Sequence, residues 1–156
     1  MNPFETLGLR PLLVLDTNAT LDWLVFGDEG MDAVAAAIES GAVRWLATPR
    51  MREELLRTLC YPQLAKWKPD CERTLTRFDR WSGTVPEPMS TRSHALICTD
   101  PDDQVFIDLA LARNASWLLT RDRALLKLKR RAAGRGLQIA PPESWALAQL
   151  PVTWPA

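Results

Sequence analysis

The stretch Leu12-Leu13-Val14-Leu15-Asp16-Thr17-Asn18 decides the fold of this chain. Four apolar residues in a row, followed at once by an aspartate, are typical of a strand that is buried on both faces of a parallel sheet. From position 17 onward the apolar residues recur at helical spacing. A buried strand that leads directly into a helix is the repeating unit of α/β proteins.

Strand-like and helix-like segments alternate along the rest of the sequence. We predict further strands at 43–47, 116–120 and 137–140, helices at 31–40, 49–59, 71–81, 101–113, 123–133 and 142–150, and an irregular stretch at 83–99. This order predicts an α/β fold whose central, mainly parallel sheet of four to five strands is flanked by helices. The lack of a repeat, a low-complexity segment or a linker favours one domain over residues 1–156.

Several predicted helix ends carry residues that suit a cap. Thr48 fits the N-cap of its helix, with Pro49 at the first helical position, and Asp70 fits the N-cap of the following helix. Gly41 stands where a left-handed residue commonly ends a helix. These residues predict where three of the helices begin or end.

The composition narrows the class of protein. The 156 residues are 47% hydrophobic and 24% charged, as in ordinary globular proteins, and the formal net charge is zero. Any binding to nucleic acid must therefore come from local patches. The apolar runs are far shorter than the ~18 residues that span a bilayer, and residues 1–5 lack a signal-peptide pattern. We expect a cytoplasmic protein without membrane attachment.

Cysteine and histidine usage disfavours other kinds of site. The cysteines Cys60, Cys71 and Cys98 show no paired spacing, which fits a reducing compartment. His94 is the only histidine, so a zinc cluster or a histidine-based catalytic unit is disfavoured. We interpret His94 as a loop residue in a proline-rich stretch.

Two aspartates stand just after predicted buried strands. Asp16 follows residues 12–15, and Asp122 comes shortly after the apolar residues 117–119. Each aspartate alone also fits a helix N-cap, because a buried carboxylate needs a hydrogen-bonding partner. If the two strands are neighbours, both carboxylates lie side by side at the carboxyl edge of the sheet, where α/β proteins bind ligands.

Two further acidic positions extend this set. Asp103 lies in the first turn of the helix that Pro101 opens, and Asp100 fits its N-cap. Three carboxylates at 100, 102 and 103 exceed what capping needs, so either Asp100 or Asp103 is expected to face a ligand. Glu54 borders the buried stripe of its helix more closely than Glu53, although both also fit a solvated face.

Four carboxylates that converge in one crevice would repel one another. A hard divalent cation is the usual resolution, and ligands that are all oxygen favour Mg²⁺ or Mn²⁺. A metal held in this way, open on one side, suits phosphodiester chemistry.

These motifs together resemble those of PIN domains. The resemblance spans about residues 11–140 and rests on four stretches: Val14 to Asn18, Thr48 to Leu55, Asp100 to Phe106, and Leu118 to Asp122. It implies a Rossmann-like fold and a Mg²⁺- or Mn²⁺-dependent ribonuclease directed at single-stranded RNA. It places the family's four acidic positions at Asp16, Glu54, Asp103 and Asp122.

The resemblance also implies supporting roles and partners. Asn18 and Thr120 fall at positions of small polar residues near the metal, with Asp16, Asp103 and Asp122 as the expected ligands. The Asp-Pro-Asp-Asp stretch and Cys60-Tyr61-Pro62 resemble the subgroup of toxin components of toxin–antitoxin systems. A small antitoxin partner and self-association as a homodimer are therefore expected.

Contact with RNA requires positive charge near the acidic site. Arg50 lies on the helix of Glu54, and Arg121 and Arg123 flank Asp122, so these three arginines are the candidates for holding phosphate. Two other readings stay open: a phosphohydrolase of another α/β type with Asp16 as nucleophile, and a nucleic-acid-binding module without catalysis. The missing second aspartate two residues after Asp16 counts against the first.

Overall fold

The computed structural model describes residues 10–89 and 96–148, and the interpretation of His94 lies outside them. The strands are β1 (Leu12–Leu15), β2 (Arg44–Ala47), β3 (Ser82–Thr84), β4 (Trp117–Leu119) and β5 (Gln138–Ala140). The α-helices are α1 (Thr17–Leu24), α2 (Asp32–Ser40), α3 (Pro49–Leu59), α4 (Cys71–Trp81), α5 (Gln104–Ala112), α6 (Arg123–Leu126), α7 (Lys129–Ala133) and α8 (Pro142–Ala148). Short 3₁₀ helices cover Glu29–Met31, Pro62–Trp67 and Pro101–Asp103.

The five strands form one parallel sheet in the order β3-β2-β1-β4-β5. Strand β1 is central, and Leu15 at its end pairs with Leu119 at the end of β4. The α/β prediction with a parallel sheet is confirmed. Because β1 and β4 are in register to their last residues, the residues that follow them leave the sheet at the same edge.

The core forms on both faces of the central strands. Leu13, Val14 and Leu118 are fully buried, as the continuous apolar runs predict for strands covered on both faces. On β2, Trp45 packs between Trp23 of α1 and Phe78 of α4, with ring centroids 5.6 and 5.0 Å apart. In the described part of the chain, no helix is long and apolar enough to cross a membrane.

The predicted caps are present. The Thr48 side chain accepts a hydrogen bond from the Met51 N–H, and the Asp70 side chain accepts one from the Arg73 N–H. Gly41 ends α2 with a φ of 81°, in the left-handed region. Side-chain hydrogen bonds therefore fix the first two helix ends, and the left-handed backbone of glycine fixes the third.

Two predictions about the elements were wrong. The stretch predicted to be irregular from 83 contains most of β3, whose Ser-Gly-Thr sequence lacks the apolar residues that mark a strand. The helix predicted over 123–133 is broken between α6 and α7, where the Leu128 N–H bonds the Leu125 carbonyl at 3.0 Å. Leu125 and Leu128 are both buried and stand three residues apart, as in a continuous helix, so the apolar pattern does not reveal the break.

Replacing Gly41 by alanine tests the left-handed C-cap. A Cβ at positive φ costs about 1–2 kcal/mol, so we expect Gly41→Ala to lower the free energy of unfolding by about that amount in urea titrations. Gly134 ends α7 at a φ of −63° and is the matched control, because alanine fits there without strain. Equal effects of the two substitutions would contradict the cap assignment.

Candidate active site

Asp16 is buried at the end of β1, with 3% of its surface exposed. It is the N-cap of α1, where its Oδ1 accepts the Ala19 N–H at 2.8 Å. Its Oδ2 accepts the hydroxyl of Thr120, which is fully buried. Burial raises the pKa of the Asp16 carboxyl to about 6, against the lowering effect of these two hydrogen bonds.

Thr120 connects Asp16 to Asp122. Its N–H is bonded to the Ala140 carbonyl at 3.0 Å, which fixes its backbone against β5. Its hydroxyl oxygen donates to Asp16 and accepts the Asp122 N–H at 2.9 Å. The Asp122 side chain in turn caps α6 by accepting the Ala124 N–H at 2.7 Å. The two aspartates that follow neighbouring strands thus share one hydroxyl.

Asp103 faces the same site from the end of the 3₁₀ helix Pro101–Asp103. Its Oδ2 is buried and has no hydrogen-bond partner among the described residues. The pKa of its carboxyl is raised to about 7, first by burial and then by the negative charges of Asp122, Asp100 and Asp16. A buried carboxylate oxygen that accepts no hydrogen bond lowers the stability of the fold. Binding of a cation or a proton at this atom is therefore favourable.

Asp100 has a different local role. It is exposed, and its carboxylate accepts the Asp102 N–H at 3.0 Å as the N-cap of the 3₁₀ helix. Both Asp100 and Asp102 line the cleft, and the charge of Asp100 is one of those that raise the pKa of Asp103.

A cleft of about 640 Å³ opens over these groups. Asn18 and Glu54 line it together with Asp100, Asp103 and Asp122. The Glu54 carboxylate is 42% exposed and forms an ion pair of 3.3 Å with Arg57 one turn along α3. Asp16 lies beneath the cleft. The structure therefore brings all four predicted acidic residues to one edge of the sheet, with Glu54 at the rim.

Of the three predicted RNA-binding arginines, Arg50 is the one that lines the cleft as described. The Arg123 side chain is exposed outside that lining. The Arg121 guanidinium points elsewhere and bonds Asp22 at 2.7 Å, Asp28 at 3.0 Å and also Glu143. Because three carboxylates occupy the Arg121 guanidinium, the structure does not support its predicted contact with phosphate.

Sequence reasoning did not assign Tyr61 to the site, although it also lines the cleft. Tyr61 directly precedes the 3₁₀ helix Pro62–Trp67, and 47% of its surface is exposed. An exposed tyrosine before a proline in a helix-ending segment was the available signal.

The donor set fits a hard divalent cation. The converging oxygens belong to Asp16, Asp103 and Asp122, and the partnerless Oδ2 of Asp103 marks where positive charge is lacking. Among the described residues, no three acidic, cysteine or histidine side chains are arranged as a group that could hold a metal ion.

Two comparisons with known proteins agree with this architecture. A family model described as PIN domain matches residues 12–124. A chain of the crystal structure of VapBC2 from Rickettsia felis, bound to a DNA fragment from their promoter, is similar in structure at a TM-score of 0.56. The two chains are 14% identical, and the match covers 82% of this chain and 96% of that chain, which shows a common fold. A comparison with curated proteins gave no match.

The raised carboxyl pKa values predict how stability depends on pH without metal. Asp16 and Asp103 hold protons more tightly in the folded than in the unfolded chain, so stability falls as pH rises from about 4 through about 7. We expect Tm in EDTA to be higher at pH 5.5 than at pH 7.5. We expect the free energy of unfolding to differ by about 1–2 kcal/mol between the two pH values, a figure reduced because Asp103 is partly hydrated. This difference corresponds to about 2–8 °C in Tm.

Two variants separate this effect from general titration. Asp103→Asn removes one of the two groups and should reduce the Tm difference between the two pH values. The exposed Asp32 of α2 provides the matched control, because Asp32→Asn should leave the difference unchanged. A wild-type Tm that is equal or higher at pH 7.5 would contradict the pKa shifts.

The Arg121 network predicts a stability effect larger than that of an ordinary surface ion pair. Arg121→Met leaves Asp22, Asp28 and Glu143 without their common cation, so we expect a loss of about 1–3 kcal/mol in urea unfolding. Arg52→Met breaks the exposed pair with Asp79 and should cost less than about 1 kcal/mol. A loss for Arg121→Met no greater than for Arg52→Met would show that the network contributes little.

Proposed function

We propose that this chain, which belongs to the PIN domain family, is a Mg²⁺- or Mn²⁺-dependent ribonuclease that hydrolyses phosphodiester bonds of single-stranded RNA. The observation that carries the proposal is the carboxylate cluster at the carboxyl edge of the sheet. In it, the Thr120 hydroxyl donates to the Asp16 carboxylate and accepts the backbone N–H of Asp122, and Asp103 adds an oxygen without a partner among the described residues. Asp103 and Asp122 of this cluster line a cleft of about 640 Å³.

The proposed ligands of the cation are Asp16, Asp103 and Asp122, with Glu54 as the fourth acidic residue at the rim. We favour Asp103 over Asp100 as the ligand, because Asp103 carries a buried oxygen without a partner among the described residues, whereas Asp100 is exposed. When bound, the ion lowers the pKa of a water and offsets charge on the scissile phosphate.

The chain's own residues prepare this chemistry. The Thr120 hydroxyl holds the Asp16 carboxylate and the backbone N–H of Asp122, and the Ala124 N–H holds the Asp122 carboxylate, so that little reorganisation is needed when a cation arrives. Glu54 must exchange its partner Arg57 for the reacting groups, which its exposed position allows. Arg50 at the cleft is placed to contact a phosphate of the strand. Hydrolysis of this type leaves a 5′-phosphate and a 3′-hydroxyl.

We further propose that the protein is the toxin of a type II toxin–antitoxin pair and acts in the cytoplasm. The support is its fold, which is similar to that of a chain in a VapBC2 structure, together with the family match. The partner would be a small antitoxin protein that covers or distorts the acidic cleft, and the chain itself would form a homodimer.

Asp16→Asn tests the catalytic proposal. Asparagine keeps the helix cap but removes one negative charge from the proposed metal site. We expect Mn²⁺-dependent cleavage of a mixed pool of single-stranded RNA to fall at least about 100-fold, since even residues that only support metal ligands contribute about 10–100-fold. For the toxin role, induced expression of the wild type should arrest growth and the variant should not.

Asp32→Asn is the control and should retain both activities. A fully active Asp16→Asn variant would remove Asp16 from the site. A trapped phosphoenzyme on Asp16 would instead support the phosphohydrolase reading, and RNA binding without any cleavage by the wild type would support a non-catalytic module.

A further inference from the structure

The charges that line the cleft pose a problem for RNA binding. Five carboxylates face it, and two guanidinium groups, those of Arg50 and Arg57, face it with them. The formal charge of the lining is therefore three units negative, and the whole chain is neutral. One divalent cation does not reverse that sign. Phosphate contacts, which dominate affinity in most nucleic-acid-binding proteins, are a weak source of binding energy here.

The same cleft also has an apolar wall. Its members are Leu21 and Phe26 after β1, and Tyr61 and Leu64 around the 3₁₀ helix Pro62–Trp67. Phe26 packs against Trp67, with ring centroids 4.8 Å apart, which ties the two segments together. Apolar surface next to an acidic catalytic cluster suits a ligand that presents both a phosphate and a flat, weakly polar group.

Tyr61 is the best-placed member of this wall. Its N–H bonds the Thr58 carbonyl and its carbonyl accepts the Leu64 N–H, both at 3.0 Å, and Pro62 restricts the backbone that follows. The backbone under the side chain is thus held on both sides. Its ring forms no stacked or tilted pair with another aromatic ring of the described residues, and it is 47% exposed. Because the backbone is held and the Tyr61 ring packs on no other aromatic ring of the described residues, less conformational entropy is lost when a base stacks on it.

We propose that Tyr61 is a base-stacking subsite of the cleft, which receives one unpaired base of the RNA strand near the scissile phosphate. The inference rests on the proposed ribonuclease activity and adds to it the feature of the substrate that is recognised. Bases inside a duplex are already stacked and cannot reach the ring, so this subsite selects single strands. It also supplies binding energy that does not depend on positive charge.

The first test compares three variants with the wild type in Mn²⁺-dependent cleavage of a single-stranded oligonucleotide. We expect Tyr61→Ala to raise KM about 5- to 100-fold with kcat nearly unchanged, as for the loss of one stacked base. Tyr61→Phe should stay within about twofold of the wild type, because it keeps the ring. Leu56→Ala removes an exposed apolar side chain of α3 outside the described cleft lining and is the matched control.

The second test removes the base instead of the ring. A series of oligonucleotides with one abasic position should contain one position at which the wild type loses the same factor in KM. Tyr61→Ala should lose nothing further at that position, because partners in contact are not additive. The salt dependence of KM should be the same for Tyr61→Ala and the wild type, whereas Arg50→Ala should flatten the log–log slope by roughly 0.7.

These outcomes separate the subsite from the activity. If the wild type cleaves but Tyr61→Ala has a KM within twofold of it, or Tyr61→Phe is as impaired as Tyr61→Ala, the subsite is wrong and the ribonuclease stands. If the wild type does not cleave, the Kd for the same oligonucleotides from fluorescence anisotropy decides the subsite on its own. An unchanged Kd for RNA with weakened binding of a protein partner would make this wall a protein interface and overturn the proposal.

Discussion

The structure depends on a carboxylate kept out of water at the end of its central strand. Burial of a charged carboxylate costs several kcal/mol unless donors replace its hydration. Asp16 receives two, the Ala19 N–H and the Thr120 hydroxyl, and its pKa nevertheless stays raised, to about 6. The register of β1 and β4 makes this possible, because a slip of one residue would move Thr120 to the opposite face of the sheet.

In the loop after β4, residues of the acidic site alternate along the chain with a residue that forms ion pairs elsewhere. Successive side chains of an extended segment point to opposite sides, so Thr120 and Asp122 lie on the side of the acidic site while Arg121 points away. There Arg121 joins Asp22 of α1, Asp28 and Glu143 of α8, which ties the loop to elements on both sides of it. Mutual repulsion between the carboxylates at the cleft lowers the free energy of unfolding. The neighbouring network around Arg121, in which opposite charges pair, offsets part of that loss.

The extent to which the sequence predicts this structure follows the range of each interaction. The β1 strand, the caps at Thr48 and Gly41, and the placement of acids at strand ends follow from local pattern and chemistry. The position of Arg121 does not, because its partner Asp28 is 93 residues away in the chain and only the folded topology brings them together. Strand β3 is not predicted for a related reason. Ser82–Thr84 forms a strand because it pairs with β2, and its own side chains do not indicate one.

In the proposed metal-dependent ribonuclease, the negative lining of the cleft would link the binding of metal and RNA to each other. Each carboxylate that a cation neutralises also removes a repulsion that an incoming phosphate would meet, so the binding of either ligand favours the other by the same factor. The raised pKa of Asp103, to about 7, adds protons to this linkage, because a cation must displace the proton that the carboxyl otherwise holds near neutral pH. Base stacking on Tyr61 lies outside the linkage, since it involves no charge. In the proposed ribonuclease, the carboxylates would determine when the strand is cut, and the apolar wall would determine which kind of strand enters.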